Sequence, residues 1–365
     1  MKRTRIVIWL VVATLIAALA MPAFARGVGE DEIYIPVVSK GLQHQFWQTV
    51  KTGAEDAARE YGVSITFEGP ASEADIQDQV IMLQNALAKS PSAIALAALD
   101  TNAVMDQLQE AIRREIPIVG FDSGVPDAPA GAIYANASTD NYAAAGLAAE
   151  KMFEELKPQI EAASNANPVT IVVMNQDASG ESLLSRGRGF RDRMVDLIIS
   201  ETAKTAADIQ VSGNPAYVAA DSPTRGRAVT IFMAVPASPR TQDVTSAAVA
   251  VFNRVQSDNI IGMFCSNEGT VVGVLAATND GAALASTYRG LVVIGYDAGA
   301  AQKNAVRQGY FLGSITQDPY QIGYKAVELA YKASQGEEIS DVDTGAKFYD
   351  ASNMDESDIA ILLYD

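Results

Sequence analysis

Short runs of β-branched and apolar residues alternate along the chain with longer stretches whose apolar positions recur every three or four residues, the signature of βαβ units around a parallel sheet. Residues 32–38 predict the first strand. The helix after it carries Phe46, Trp47, Val50, Ala54, Ala57, Ala58 and Tyr61 on one face and Gln48, Lys51, Glu55 and Arg59 on the other, and Gly62 ends it. The alternation continues through strand 64–67, helix 75–89, strand 93–97, helix 103–114 and strand 116–121. A turn at 124–129 and a short run at 132–135 follow. A second series then predicts helix 141–156, strand 169–174, helix 182–199, strand 208–212, helix 244–257 and strand 260–264. It closes with helix 270–279, strand 291–296, helix 300–308, strand 312–316 and helix 320–336. The expected fold class is α/β, two Rossmann-like lobes of parallel sheet flanked by helices. Between 218 and 240 the alternation fails, and that stretch reads as an inserted loop carrying one apolar piece at 228–235.

Ahead of the first strand, Lys2, Arg3 and Arg5 precede an apolar run from Ile6 to Ala20, and Ala23-Phe24-Ala25 supplies small residues at the positions a signal peptidase reads. Residues 1–25 are therefore expected to be a cleaved secretory leader rather than a membrane anchor, and no cysteine near that site offers a lipid attachment. An exported, periplasmic chain follows.

Composition narrows the chemistry. The 365 residues hold 44 acidic and 27 basic side chains, a formal charge of −17, and losing the leader's three basic residues makes the remainder more acidic still. Such a field repels phosphate backbones and anionic lipid, so nucleic acid is excluded as a partner. One cysteine, Cys265, and one histidine, His44, exclude a disulfide framework and leave too few ligands for a metal site. No cofactor is expected. The stretch around Arg186 lacks both the phosphate-cradling and the dinucleotide fingerprints; it reads as a helix face with structural arginines. Cys265, closing an apolar strand, reads as a buried inert thiol.

Ligands of open parallel sheets bind at the carboxyl ends of the strands. Polar side chains collect at those ends: Ser39 to Trp47, Asp122 with Ser123, residues 175–179 including Ser179, Ser266-Asn267-Glu268, Asp297 and Gln317. Each carboxylate or amide can bind two adjacent hydroxyls of a polyol, and rings such as Phe46 and Trp47 pack on the apolar face of a sugar. Any single Asp or Asn there can equally be a helix N-cap. His44 suits hydrogen bonding to a ligand or loop better than catalysis.

Together these residues resemble the periplasmic substrate-binding proteins of sugar ABC transporters, of the ribose- and galactose-binding kind (type I periplasmic binding proteins). The resemblance runs over nearly all of the chain beyond the leader. It rests on Val38-Ser39-Lys40 with Gln45-Phe46-Trp47, residues 53–58, Ile118 to Ser123, Thr139-Asp140-Asn141, Arg186 to Phe190, Cys265 to Glu268, Val293 to Asp297 and Ile315 to Pro319. It implies a sugar or polyol held between lobes joined by a three-segment hinge, one lobe of residues 26–139 plus 318–346 and the other of 140–317 plus 347–365. Crossings fall near Thr139-Asp140, Gln317-Asp318 and Gly345. The implied contacts are stacking by Phe46 and Trp47, hydrogen bonding by Lys40, His44, Asp122, Ser123, Asn267, Asp297 and Gln317, with Asp140, Ser179, Arg186, Tyr217 and Glu268 as further candidates. Leu184 stands where the family commonly places a polar ligand contact, and Ser123 where pentose binders often carry arginine. The implied role is a monomeric, non-enzymatic receptor delivering its ligand to an ABC permease. Two alternatives stay open: a sensor of a furanose signal feeding a chemoreceptor or sensor kinase, to which Lys40 and Asp122 are suited, and an exported glycosidase working through Asp122 and Asp297.

Overall fold

The computed structural model describes residues 32–364; the expected leader lies outside them. Two sheets form. The first contains β1 (Tyr34–Val38), β2 (Ser64–Glu68), β3 (Ile94–Leu96), β4 (Ile118–Phe121), β5 (Ile133–Ser138) and, from much later in the chain, β12 (Val342–Asp343), in the order β12-β5-β4-β3-β1-β2 and all parallel. The second contains β6 (Val169–Met174), β7 (Ile209–Gly213), β8 (Val229–Ala234), β9 (Ile260–Cys265), β10 (Val292–Tyr296), β11 (Gly313–Gln317) and β13 (Ala346–Tyr349), ordered β13-β11-β10-β9-β6-β8-β7. Only β13 in that sheet runs antiparallel, against β11. Helices cover both sheets, which is why most strands read as continuous apolar runs.

The helices are α1 (Gln45–Tyr61), α2 (Ile76–Ala88), α3 (Met105–Arg113), α4 (Asn141–Ala162), α5 (Glu181–Glu201), α6 (Thr241–Phe252), α7 (Glu268–Ala277), α8 (Ala300–Arg307), α9 (Pro319–Ser334) and α10 (Ser357–Ala360). α1 buries the predicted face and ends on Gly62, whose left-handed φ of 65° lets its N–H bond the Ala58 carbonyl. α4 runs beyond the expected end at Leu156 because Ile160 continues the buried face.

The chain passes between sheets three times: after β5, after β11, and between β12 and β13. The strands at these passages lie close together. Thr139 Oγ1 donates to the Gly345 carbonyl at 3.1 Å, the Asp140 amide donates to Asp343 at 3.1 Å, and the Thr344 amide to the Ser138 carbonyl at 3.1 Å. α9, which follows a second-sheet strand, packs on α1 beside the first sheet. From Ile33 onward the whole forms one compact unit.

The stretch 218–240 needs correction. Its apolar piece is strand β8, lying between β6 and β7 with Val229, Ile231 and Met233 buried. The alternation fails there because β7 and β8 are joined without an α-helix, through a single 3-10 turn at Pro215–Tyr217 and a loop that folds back on β7, the Val211 amide bonding the Pro223 carbonyl at 2.7 Å and the Gly226 amide the Ile209 carbonyl at 3.0 Å. Among the described residues no helix is long and apolar enough to cross a membrane.

α1 and α9 touch backbone to backbone. A Cβ at Gly323 would lie 1.9 Å from the Val50 carbonyl oxygen, and one at Gly53 2.0 Å from that of Tyr320, so neither helix admits even a methyl group there. Gly323→Ala is expected to cost about 1–3 kcal/mol by overpacking, read as a lowered midpoint in thermal unfolding. An unchanged midpoint would contradict this account of the interface.

Candidate functional site

The carboxyl ends of the two sheets face each other, and the polar strand ends meet between them. Lys40 follows β1, Asp122 follows β4, Asn267 and Glu268 follow β9, Asp297 follows β10 and Gln317 closes β11. With His44, Phe46, Trp47, Glu73, Leu183 and Arg186 they line one cleft, whose free space is only about 20 Å³, room for a water molecule or two. The side chains nearly fill it by bonding each other. A roomier depression of about 500 Å³ beside residues 124–138 includes none of these strand-end groups.

Lys40 is 7% exposed and Asp122 3%; their Nζ and Oδ2 lie 3.3 Å apart, and Nζ also donates to Ser182 Oγ of α5 at 3.1 Å. Burial alone would lower the Lys40 pKa, but Asp122 and Glu73 more than offset it and hold the ammonium charged. Glu73 accepts the Trp47 indole N–H at 2.9 Å. Although burial opposes its charge, His44, Lys40 and the Trp47 bond keep its carboxyl below the usual range. Across the cleft, Gln176 bonds Asn267. Asn267 is both lining residue and N-cap of α7, accepting the Thr270 amide at 3.0 Å.

Arg186 is 3% exposed and sits 3.8 Å over the Tyr296 ring, donating to Asn141 Oδ1 at 2.7 Å and the Ser266 carbonyl at 3.1 Å. Both readings of Arg186 meet here: its contacts are structural, and its side chain lines the cleft on a helix face it shares with Leu183. Asp297 accepts from the Glu268 amide at 2.9 Å and Gln317 Nε2 at 2.7 Å. Burial pushes its pKa up, and Arg186 works against that rise. Both strand-end aspartates take left-handed backbone, φ 55° at Asp122 and 80° at Asp297, a conformation that Asp tolerates better than most residues and that surroundings must hold.

Three buried oxygens of this lining accept no hydrogen bond: Glu268 Oε2, Gln317 Oε1 and Asp122 Oδ2, the last of which has only its ion pair with Lys40. All are acceptors, so the cleft is built to receive donors.

Several candidates lie elsewhere. Ser123 is buried behind the cleft, its Oγ accepting the Ser182 amide at 3.3 Å, and Ser179 accepts the Thr101 amide at 3.3 Å through its carbonyl; both tie the halves together outside the lining. Asp140 is an exposed cap of α4, accepting the Ala143 amide at 2.9 Å. Tyr217 packs against Gly187 and donates to the Asp177 carbonyl at 2.6 Å, which turns it away from the cleft. Glu73 and Leu183 carry no mark in the sequence reading; Glu73 lies in the loop that leaves the carboxyl end of β2, five residues past Glu68, a strand-end loop like those that hold the other lining groups. Cys265 is buried, and burial pushes its thiol pKa up. Among the described residues no group of His, Cys, Asp and Glu could hold a metal ion.

Residues 35–338 match the family model described as a periplasmic binding protein domain. The chain belongs to the periplasmic binding protein family. It is 24% identical over 317 residues to the D-allose-binding periplasmic protein of Escherichia coli (strain K12), an alignment covering 86% of this chain and 88% of that protein. Among solved structures, an ABC transporter protein of Brachyspira murdochii, described as a LacI family transcriptional regulator, is 39% identical with a TM-score of 0.73, covering 92% of this chain and 99% of that one. An ABC transporter solute-binding protein of Agrobacterium vitis, solved with bound D-fucose, is 27% identical with a TM-score of 0.72, covering 91% and 100%. The two parallel sheets with flanking helices are the type I fold of this family.

His44 joins the halves, its Nδ1 3.7 Å from Glu268 Oε1. Burial would lower its pKa, but the bond to Glu268 and the charges of Glu73, Glu268 and Asp297 raise it to about 9. The folded pKa lies above the free value of about 6.5, so the stabilisation is fully present below that pH and is lost as pH rises through about 9. Denaturant unfolding across pH 6–10 is expected to show a fall on the order of 2 kcal/mol that His44→Gln removes; identical pH profiles for the two proteins would refute the pairing.

Proposed function

We propose that the chain is an exported, periplasmic solute-binding receptor that captures a small neutral sugar or polyol between two lobes and delivers it to an ABC permease, without converting it chemically. The observation that carries this reading is the set of buried acceptors that no hydrogen bond satisfies, Glu268 Oε2 and Gln317 Oε1 together with Asp122 Oδ2, which only the Lys40 ammonium faces, at 3.3 Å: hydroxyl groups supply the donors they lack. Glu73, Asp122, Glu268 and Asp297 in the same lining disfavour sugar acids and phosphates. The family, the D-allose-binding relative and the D-fucose-bound neighbour support a sugar as ligand.

In this reading the lobes comprise residues 26–139 plus 318–346 and 140–317 plus 347–365, with the hinge at the three passages between the sheets. The small free space of the cleft fits a closed arrangement, so a ligand enters by separation of the lobes and replaces bonds the side chains make to one another. Lys40, Phe46 and Trp47 act with Asp122 from the first lobe, and Arg186, Asn267, Asp297 and Gln317 from the second. Closure tells the permease that the receptor is loaded, because only a ligand bound by both lobes favours that arrangement.

A thermal-shift panel of monosaccharides and polyols tests this directly: one member at a hundredfold its Kd adds ~2.7 kcal/mol to stability. Asp122→Ala is expected to keep the fold and weaken that sugar by at least about 30-fold in calorimetric titration. A panel without a response overturns the sugar reading; unchanged affinity in Asp122→Ala overturns the site.

A further inference from the structure

The carboxylate of Asp297 depends on a left-handed residue that is not glycine, and such a turn persists only if its surroundings hold it. Its peptide group is gripped on both sides. The carbonyl accepts from Gln302 Nε2 at 2.9 Å, Ser314 Oγ at 3.0 Å and the Tyr349 hydroxyl at 3.0 Å. The amide of that same peptide, on Ala298, donates to the Tyr364 hydroxyl at 3.1 Å. The corresponding left-handed turn at Asp122 has no such support: the next amide, on Ser123, bonds the Phe121 carbonyl within the turn itself.

Tyr364 is fixed in turn. Its carbonyl accepts from the buried ammonium of Lys303 at 2.7 Å, and the Leu362 carbonyl accepts from Thr316 Oγ1 at 2.9 Å. Burial raises the phenol's pKa and keeps it neutral. The ring meets Phe46, from the N-terminus of α1, with centroids 6.2 Å apart and planes at 69°. Phe46 meets Trp47 edge-on at 5.0 Å, and Trp47 meets Phe121 at 6.4 Å. An aromatic row therefore runs from the second sheet's side of the cleft to the first, with Tyr364 at one end. Beside it the Ala300 amide, at the start of α8, donates to Gln45 Oε1 at 2.9 Å.

We propose that Tyr364 is a positioning residue of the cleft, its hydroxyl holding the Asp297–Ala298 peptide so that the carboxylate is aimed at the ligand, and its ring forming the seat on which Phe46 lands when the lobes meet. Tyr364 itself lies outside the lining and acts through Asp297 and Phe46. The proposal rests on the reading of the cleft as a sugar site. It adds a residue from the irregular stretch after α10 to a site otherwise built largely from strand ends.

Tyr364→Phe removes the hydroxyl and keeps the ring; Tyr364→Leu removes both. With the sugar that stabilises the parent protein, Kd measured well below the melting transition is expected to rise about tenfold in Tyr364→Phe, and further in Tyr364→Leu. The ring effect is expected to be non-additive with Phe46→Leu in a double-mutant cycle. A residue that only stabilises the fold would lower the melting midpoint and leave the Kd of the folded protein at the parent value, and that result overturns the proposal. One arm needs no sugar. Hydrogen exchange of the Ala298 amide, followed by mass spectrometry of peptides covering 296–300, is expected to quicken about tenfold in Tyr364→Phe; unchanged exchange overturns the positioning of the turn. A parent protein that binds nothing in the panel defeats the sugar reading instead, while the exchange arm still decides whether Tyr364 holds Asp297.

Discussion

Charges withdrawn from water between two sheets must find partners, and this requirement organises the cleft. Lys40, Glu73, Asp122, Arg186 and Asp297 are all nearly fully buried, each at a cost of several kcal/mol unless paired and hydrogen-bonded. The pairing crosses between sheets wherever one sheet alone cannot supply it. Lys40 reaches Ser182 and His44 reaches Glu268 across the cleft, whereas Arg186 is satisfied within the second half, between the Tyr296 ring and acceptors on Asn141 and Ser266. Parting the halves would wet these groups, and a polyhydroxylated ligand would replace many of the same bonds with its own. The low cost of that exchange is what makes such a cleft responsive to a neutral ligand.

The rest of the architecture serves to bring those groups together. Parallel strands point their carboxyl ends the same way, so Lys40 and Asp122 from one sheet and Asn267, Asp297 and Gln317 from the other come to a common crevice without any of them being near in sequence. The passages between sheets lie side by side, bonded through Thr139, Asp140, Asp343 and Gly345, an arrangement suited to rotation about a narrow strip. The close α1–α9 contact through Gly53 and Gly323 anchors the returning chain to the first sheet.

Much of this was legible in the sequence because it is local. Buried strands and amphipathic helices announce themselves by period, and the strand-end rule points to Lys40, Asp122, Asn267, Asp297 and Gln317, all of which line the cleft. What escaped depended on non-local geometry. β8 reads as part of an insertion because a crossover without an α-helix leaves no 3.6-residue period between two strands. For Arg186 the sequence leaves a structural helix face and a ligand contact both open, and only the packing of α5 decides which way that face looks. Tyr217 and Asp140 carry the right chemistry on backbone that turns it elsewhere. Tyr364 has no local signal at all: its partners, Ala298 and Phe46, lie 66 and 318 positions away.

The central claim is that a sugar bound in this cleft holds the two lobes together. Small-angle X-ray scattering of the protein, with and without a saturating sugar taken from the stabilising set, measures this directly. The account predicts a smaller radius of gyration in the bound state, with a scattering profile that fits the closed arrangement described here. Saturation of the site with no change in the radius of gyration would contradict it.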